Sequence, residues 1–197
     1  MRDGNKTKEL IARTALRLFV EKGITETTIR DIAGAAGVAE GTLYRHYESK
    51  DQLAWELFST NYVAFARELD GLQQNYETLQ DKLAAMIRRF CAFFDRDPVL
   101  FSYLLLAQHA QLKKVTPEMV TAVTVLQKVI AQGMAKGEVP EMEVELAAAM
   151  VLGLVLEVAI FKAYGRITQD LTQLSETLVA ACWRVLAEDH PQALPDC

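Results

Sequence analysis

Apolar residues recur at intervals of three and four positions along nearly the whole chain, which is the spacing of amphipathic helices. No segment alternates convincingly between apolar and polar residues, so no strand is predicted. The spacing therefore predicts an all-α fold of about nine helices with short connections. The predicted segments are 5–22, 28–35, 39–46, 50–72, 79–94, 98–113, 117–136, 142–164 and 169–188.

In two of these helices, proline helps to define the predicted first residue. Asp97-Pro98 and Thr116-Pro117 each place a capping residue before a proline at the first helical position, where the missing N–H costs nothing. We therefore expect helices to begin at 98 and at 117.

Composition supports a folded, helical protein. The chain has 197 residues, of which 51% are hydrophobic, with only 10 glycines and 5 prolines, a composition that argues against a disordered tail or a β-sandwich. The formal net charge is −5, which argues against a generally basic nucleic-acid coat protein. The charge is unevenly shared, because residues 1–50 hold nine Lys or Arg against seven Asp or Glu. A mildly basic N-terminal part and an acidic remainder place any contact with a polyanion at the N-terminal end.

Cysteine usage and hydropathy indicate the compartment. Cys91, Cys182 and Cys197 form no CxxC pair and are expected to be reduced thiols. The most apolar run, 146–161, is shorter than a membrane span and contains Glu157. No apolar segment resembling a signal peptide is visible near the N-terminus. We expect a cytoplasmic protein without a membrane partner.

The stretch 27–53 predicts a helix-turn-helix, with Thr27 capping the first helix and Gly37-Val38 forming the turn. The apolar positions that pack its two helices together are Ile29, Ile32, Ala33, Val38 and Leu43. The positions left facing outward are Glu40, Gly41, Thr42, Tyr44, Arg45 and His46. Such a face carries hydrogen-bond donors for phosphates and base edges, which a helix pair used only for packing does not need.

This stretch resembles the DNA-binding segment of the tetracycline-repressor (TetR) family of bacterial regulators. The resemblance covers about the first 55 residues, and beyond them only length and helix count are similar. It is carried by Gly23, Thr27-Thr28-Ile29, Ile32-Ala33, Ala36-Gly37-Val38, Gly41-Thr42-Leu43-Tyr44, His46-Tyr47, Ser49-Lys50 and Leu53.

The resemblance implies DNA-contacting roles for nine residues. Those matching contacts to the phosphate backbone are Tyr44, His46 and Lys50. Those matching contacts to base edges or adjacent phosphates are Glu40, Gly41, Thr42 and Arg45. Those matching contacts to the other wall of the groove are Thr28 and Arg30.

Two positions depart from the family pattern. Ala39 stands where many members have Ser or Thr, so the second helix of the motif loses a good N-cap. Tyr47 replaces the commoner Phe or Val, a change of small expected effect. Glu40 has two interpretations, as an acceptor for a cytosine amino group or as a solvated charge.

The last two predicted helices are too apolar for one chain to cover, which favours a two-fold four-helix bundle between two subunits. The alternative is a monomer with a thick core. The predicted interface residues are Met150, Leu154, Val158, Phe161, Leu178, Cys182 and Val185. Glu157 is either a hydrogen-bond acceptor in that interface or the partner of a cationic ligand.

The middle helices carry aromatic and methionine residues that either form ordinary core or enclose a small, largely apolar molecule. The candidate ligand-binding residues are Phe65, Met86, Phe90, Phe94, Tyr103 and His109. Gln108 and Gln111 are further polar candidates.

Motifs for catalysis are absent from the sequence. HExxH, GxGxxG, phosphate-binding loops and metal-ligand spacings are missing, so we predict no enzyme, cofactor or metal.

We predict a helix-turn-helix domain over 1–50 and a ligand-sensing and dimerisation domain over 51–197. The expected protein is a ligand-responsive regulator, a repressor that binds a palindromic double-stranded DNA operator as a homodimer and is released by a small-molecule inducer. Alternatives that remain open are an activator, a small helical enzyme and a carrier of lipophilic ligands.

Overall fold

The computed structural model describes residues 2–116 and 118–188, with side chains from residue 5 onward except 109, 110 and 117. Within these ranges it is all-helical, with nine α-helices, one 3-10 helix and no strand. The helices are α1 (Arg2–Lys22), α2 (Ile29–Ala36), α3 (Glu40–Tyr44), α4 (Lys50–Gln73), α5 (Leu79–Arg96), α6 (Pro98–Gln111), the 3-10 helix (Leu112–Lys114), α7 (Ala122–Ala135), α8 (Val144–Ala163) and α9 (Leu171–Ala187). The predicted fold class is confirmed.

Of the two helix starts predicted from proline, one is confirmed and one is wrong. Asp97 caps α6 by accepting a hydrogen bond from the Leu100 N–H, as predicted. The next helix begins at Ala122 rather than at 117, because Thr121 and Thr124 form a capping box there. Pro117 itself lies outside the described residues.

The chain divides into two compact units. The first comprises Met1–Ala64 with Asp97–Met119, and the second comprises Phe65–Arg96 with Val120–Cys197. The helix α4 contributes residues to both, since the division falls between Ala64 and Phe65.

In the first unit, α6 lies beside α1. Arg13 pairs with Asp97 at 2.7 Å, and the rings of Phe19 and Tyr103 stack with centroids 5.8 Å apart. The Tyr103 hydroxyl donates to the carbonyl oxygen of Ala54 at 2.6 Å in the buried core, and this burial raises the pKa of Tyr103. These contacts join α1, α4 and α6 into the frame that carries the short helices α2 and α3.

In the second unit, α5 packs against α7 and α9, and α8 packs against both α7 and α9. The Asp95 carboxylate of α5 accepts hydrogen bonds from the backbone N–H groups of Leu171 and Thr172 at 3.0 and 2.9 Å. Arg88 binds Glu176 through two nitrogens. The start of α9 is thus fixed by a side chain of another helix.

Candidate functional site

The two short helices α2 and α3 form the predicted helix-turn-helix. Ile32, Ala33 and Leu43 are buried between them and the rest of the first unit, while Ile29 and Val38 are half-buried. Gly37 ends α2 with φ 65°, the left-handed conformation that favours glycine, and its N–H bonds back to the helix. The packing role predicted for these apolar positions is thereby confirmed.

The cap of α2 is Thr28 rather than the predicted Thr27. The Thr28 hydroxyl accepts a hydrogen bond from the Asp31 N–H, and Asp31 accepts one from the Thr28 N–H. The latter bond, with a second from the Thr28 hydroxyl, lowers the pKa of Asp31. Thr27 is instead buried, where its hydroxyl donates to the carbonyls of Leu18 and Gly23.

The outward face of α3 carries the side chains that sequence reasoning placed there. Tyr44 is 53% exposed, and Glu40, Gly41 and Arg45 are also exposed. Thr42 and His46 are half-buried. The geometry therefore brings six of the nine predicted DNA-contacting residues onto one short segment.

Gly41 has no packing reason to be glycine. A Cβ built there meets nothing within 4 Å, and glycine within a helix costs about 0.5–1 kcal/mol relative to alanine. A close approach by a molecule outside the chain is a physical reason for a bare backbone at this position.

Ala39 makes no side-chain cap bond to α3, as the departure from the family pattern predicts. Arg30 and Thr28 are exposed on the preceding helix and its cap. Together with the α3 face they supply two further polar side chains in the same motif.

Lys50 has an unpredicted structural role at the start of α4. Its ammonium group donates to the carbonyl oxygens of Thr25 and Thr27 at 2.9 and 2.7 Å, so it ties α4 to the loop before α2. The resemblance to the TetR family implied a contact between this lysine and a phosphate. An ammonium has three donors, so two bonds to carbonyls leave one for another acceptor.

Tyr47 is buried beside the motif, and the Lys8 ammonium lies 5.4 Å from the centre of its ring. Burial, with a smaller contribution from Glu56, raises the pKa of Tyr47 to about 12. Tyr44 and Tyr47, three positions apart in the sequence, are therefore in opposite environments, since Tyr44 is exposed and Tyr47 belongs to the core.

The predicted ligand-binding residues are only partly brought together. Phe65 and Phe90 lie 6.5 Å apart in the second unit, and both are half-buried. Met86 and Phe94 belong to the same unit but are buried core residues. Tyr103 belongs to the first unit, where its hydroxyl is bound to the Ala54 carbonyl. Helical periodicity does not say which unit a segment joins, and the ligand-binding assignment of these residues stays a prediction.

Sequence reasoning missed an aromatic and cationic cluster around Phe65. The ring of Phe93 stacks on Phe65 with centroids 4.7 Å apart. The Arg89 guanidinium lies 5.8 Å from the Phe65 ring centre and binds both oxygens of Glu68. The four-residue spacing of Arg89 and Phe93 on α5 was the available signal. The side chain of His109 lies outside the described residues.

The predicted interface residues fall into two groups. Leu178 and Cys182 are buried within their own chain where α9 packs on α5 and α8, so they offer no surface to a second copy and their assignment was wrong. The side chains with some exposed surface are Met150, Leu154, Val158, Phe161 and Val185.

The helix α8 is unusually apolar for one with so much exposed surface. Val144–Ala163 has a mean hydropathy of 2.3, yet only 28% of its most apolar window is buried, and among the described helices it alone is long and apolar enough to cross a membrane. Glu157 is exposed on it. Length and hydropathy alone are weak evidence for a membrane span, since an apolar helix of a globular protein passes the same test.

The described residues contain no group of three or more His, Cys, Asp or Glu side chains arranged to hold a metal ion. Burial raises the pKa of the Cys91 and Cys182 thiols to about 11, which disfavours the reactive thiolate.

Comparison of the sequence with models of known protein families identifies the family. The profile described as "Bacterial regulatory proteins, tetR family" matches residues 11–57, which span the described helix-turn-helix. The chain belongs to the TetR family. The resemblance found in the sequence is thus confirmed.

Curated relatives of this TetR-family chain include two regulators. It is 33% identical over 90 residues to the HTH-type transcriptional repressor KstR2 of Mycobacterium tuberculosis, covering 46% of this chain and 42% of that protein. It is 25% identical over 174 residues to the fatty acid metabolism regulator protein of Bacillus subtilis, covering 86% of this chain and 90% of that protein. Several other curated relatives are matched over less than half of their length.

A solved structure shows the same fold over most of the TetR-family chain. It is the transcriptional regulator FadR of Bacillus subtilis in complex with stearoyl-CoA, with a TM-score of 0.72 and 22% identity. The similarity covers 88% of this chain and 96% of that chain. It therefore extends beyond the helix-turn-helix to the helices that follow.

Proposed function

We propose that this TetR-family protein is a ligand-responsive transcriptional repressor, which binds operator DNA through α2 and α3. The observation that carries the proposal is the outward face of α3, where Tyr44 and Arg45 are exposed and Gly41 faces open space. A recognition helix in the major groove needs donors for phosphates and base edges and a close approach of its backbone. The proposed DNA-contacting residues are Thr28, Arg30, Glu40, Gly41, Thr42, Tyr44, Arg45, His46 and Lys50.

The proposed working form is a homodimer in the cytoplasm. The exposed apolar surface of α8 supports this, because soluble proteins rarely leave a large apolar face open to water. Small residues on that surface, Ala149 and Gly153, suit close packing of two helices. A two-fold dimer would read half-sites about 34–36 Å apart, one turn of DNA, so the expected operator is palindromic. The proposed contact residues are Met150, Leu154, Val158, Phe161 and Val185.

The proposed inducer carries a long acyl chain. The similarity to the Bacillus subtilis regulator supports this class, because that relative is named for fatty acid metabolism and the solved FadR structure contains stearoyl-CoA. Ligand and operator are proposed to favour different conformations of the dimer, so that ligand binding weakens operator binding by a coupling free energy. The helix α4, which begins at the Lys50 contacts and contributes to both units, is the proposed connection.

The test is an electrophoretic mobility shift with DNA flanking the gene of this protein. The protein without ligand should bind a palindromic site in a salt-sensitive manner, and stearoyl-CoA should release it. Tyr44→Phe removes one exposed hydroxyl and should weaken binding about five-fold, the equivalent of about 1 kcal/mol. Arg45→Ala should weaken binding and reduce the salt dependence.

Tyr47→Phe is the matched control, because it makes the same chemical change in the buried ring next to the motif. It should leave the affinity for DNA unchanged. Absence of specific, salt-sensitive binding by the ligand-free protein would refute the repressor and favour an enzyme or a lipid carrier. Tighter binding in the presence of stearoyl-CoA would indicate a co-repressor instead.

A further inference from the structure

Glu157 and Arg184 carry opposite charges on the exposed sides of two neighbouring helices of the second unit. Glu157 is exposed on α8, and Arg184 is exposed on α9. Neither makes an ion pair with another side chain in the ranges that the structure describes. Arg184 donates through Nε to the Ala180 carbonyl oxygen at 3.2 Å, and its two terminal nitrogens remain available to a carboxylate.

Glu157 lies in the middle of the exposed apolar surface of α8. Leu146, Gly153 and Tyr164 are exposed on the same side of the helix and its cap, and the four residues are spaced by seven, four and seven positions. A second copy that covers this surface therefore also covers the carboxylate. Removing a carboxylate from water is unfavourable unless a cation pairs with it, so the covering surface needs a cation opposite Glu157.

Arg184 is the cation that α8 and α9 can supply. These two helices carry only two positively charged side chains, Lys162 and Arg184. The Lys162 ammonium is already engaged, 3.5 Å from the Asp170 carboxylate and 2.8 Å from the Thr168 carbonyl oxygen. Within the described chain, Glu157 and Arg184 thus remain as opposite charges without an ion-pair partner.

The register of α8 against α9 explains why one chain leaves this pair open. The two helices run antiparallel, joined by residues 164–170, and the Cys182 Sγ atom lies 4.0 Å from the Val151 carbonyl oxygen. Arg184 follows Cys182 by two residues, so it is level with Ala149 of α8. Glu157 lies eight residues further along α8, which is about 12 Å at about 1.5 Å per residue. Within one chain the two charged groups are therefore too far apart to pair.

A two-fold axis between two copies removes this offset. An axis perpendicular to α8 that passes beside Gly153, midway between Ala149 and Glu157, brings Glu157 of each copy level with Arg184 of the other. Gly153 suits this position, because a Cβ built there meets no atom within 4 Å and a second backbone can approach closely. We propose that Glu157 pairs with the partner's Arg184 at two symmetric contacts, and that these ion pairs select a second copy of this chain to cover α8. The inference rests on the proposed function, since it names the charged contacts of the proposed homodimer.

Sedimentation equilibrium of the full chain measures the dissociation constant of the dimer. Glu157→Arg sets two arginines against each other at both contacts and should raise that constant about thirty-fold, the equivalent of about 2 kcal/mol. Arg184→Glu should raise it similarly by opposing two carboxylates. Mixed in equal amounts, the two variants should form a heterodimer well above the statistical proportion, which native mass spectrometry of differently tagged chains measures. Each variant alone carries like charges at both positions, so only contacts between copies can restore the pairing.

Matched controls reverse charges elsewhere on the surface. Glu9→Arg on α1 and Arg67→Glu on α4 make the same changes at exposed positions and should leave the dissociation constant unchanged. Glu157 and Arg184 are exposed as well, so far-UV circular dichroism should show the same helix content in every variant.

A dissociation constant that neither reversal changes, or a mixture that pairs at random, would overturn the inference and leave the homodimer intact. A tighter dimer in Glu157→Gln would overturn it as well, because that result places the two Glu157 carboxylates near each other, as an axis parallel to the helices would. A monomeric unmodified protein at micromolar concentration would refute the proposed homodimer itself, and the inference with it.

Discussion

The start of α9 offers a quantitative test of how the second unit is held together. Asp170 occupies the N-cap position of α9 but makes no side-chain cap bond. Asp95 of α5 replaces it, accepting hydrogen bonds from the Leu171 N–H, the Thr172 N–H and the Thr172 hydroxyl at 3.0, 2.9 and 2.8 Å. One carboxylate thus satisfies two free N–H groups at the positive end of the helix and links α9 to α5.

Asp95→Ala should lower the free energy of unfolding by about 2–3 kcal/mol. An alanine at an N-cap costs about 0.5–2 kcal/mol, and hydrogen bonds to a charged group contribute about 1.5–3 kcal/mol each when buried. Asp95 is only half-buried, so three such bonds sum to much less than their buried values. Asp95→Asn keeps an oxygen acceptor without the charge and should cost about half as much.

Urea unfolding followed by circular dichroism, at one fixed protein concentration, measures these differences. Asp170→Ala is the matched control, because it removes a carboxylate from the same helix end that makes only an exposed ion pair with Lys162 at 3.5 Å. It should cost less than about 1 kcal/mol. Equal effects of Asp95→Ala and Asp170→Ala would refute the assignment of the cap to α5.

Three further predictions concern other contacts. Gly133→Ala should destabilise the protein by about 1–2 kcal/mol in the same assay, because the new Cβ would lie 2.8 Å from the Cβ of Leu79 on α5. Gly71→Ala is the control, because its Cβ would meet no atom within 4 Å, and it should stabilise the protein slightly. Lys50→Met should lower the thermal unfolding midpoint as well as the affinity for DNA, because the Lys50 ammonium donates to two backbone carbonyls. An unchanged midpoint would refute the structural role of Lys50 and leave only the proposed phosphate contact. The folded state holds the thiols of Cys91 and Cys182 neutral, with pKa values raised from 9.0 to about 11, so their contribution to the free energy of unfolding should be constant below pH 9 and fall as the pH rises towards 11. Substituting both by Ala should remove the fall between pH 9 and pH 10, below the range in which the buried Tyr47 and Tyr103 contribute, and urea titrations at several pH values would show this.

The sequence predicted the helix-turn-helix because its determinants are local. Ile32 and Leu43 are apolar at positions that must face each other, and the residues between them are left outside by the geometry of the helix. Periodicity likewise predicted the helices, with errors concentrated at their ends.

Contacts between distant segments could not be read from the pattern. The carboxylate that caps α9 belongs to Asp95, 76 positions before the Leu171 N–H that it binds. The sequence around Leu171 therefore does not predict this cap. The interface assignment of Cys182 failed for a related reason, since an apolar stripe does not say whether its partner is the same chain or another copy. The family resemblance implied a phosphate contact for Lys50, but the backbone carbonyls that it binds carry no sequence signal.

The exposed apolar surface of α8 connects the stability of this protein to its abundance. A helix with only 28% of its most apolar window buried is disfavoured in water unless another apolar surface covers it, which the proposed dimer would supply. Folding into the proposed dimer is then second order in protein, and its apparent stability falls on dilution. For a regulator present in few copies per cell, the concentration of folded dimer would fall more steeply than the total concentration of the protein. The number of occupied operators would therefore respond more than proportionally to its rate of synthesis.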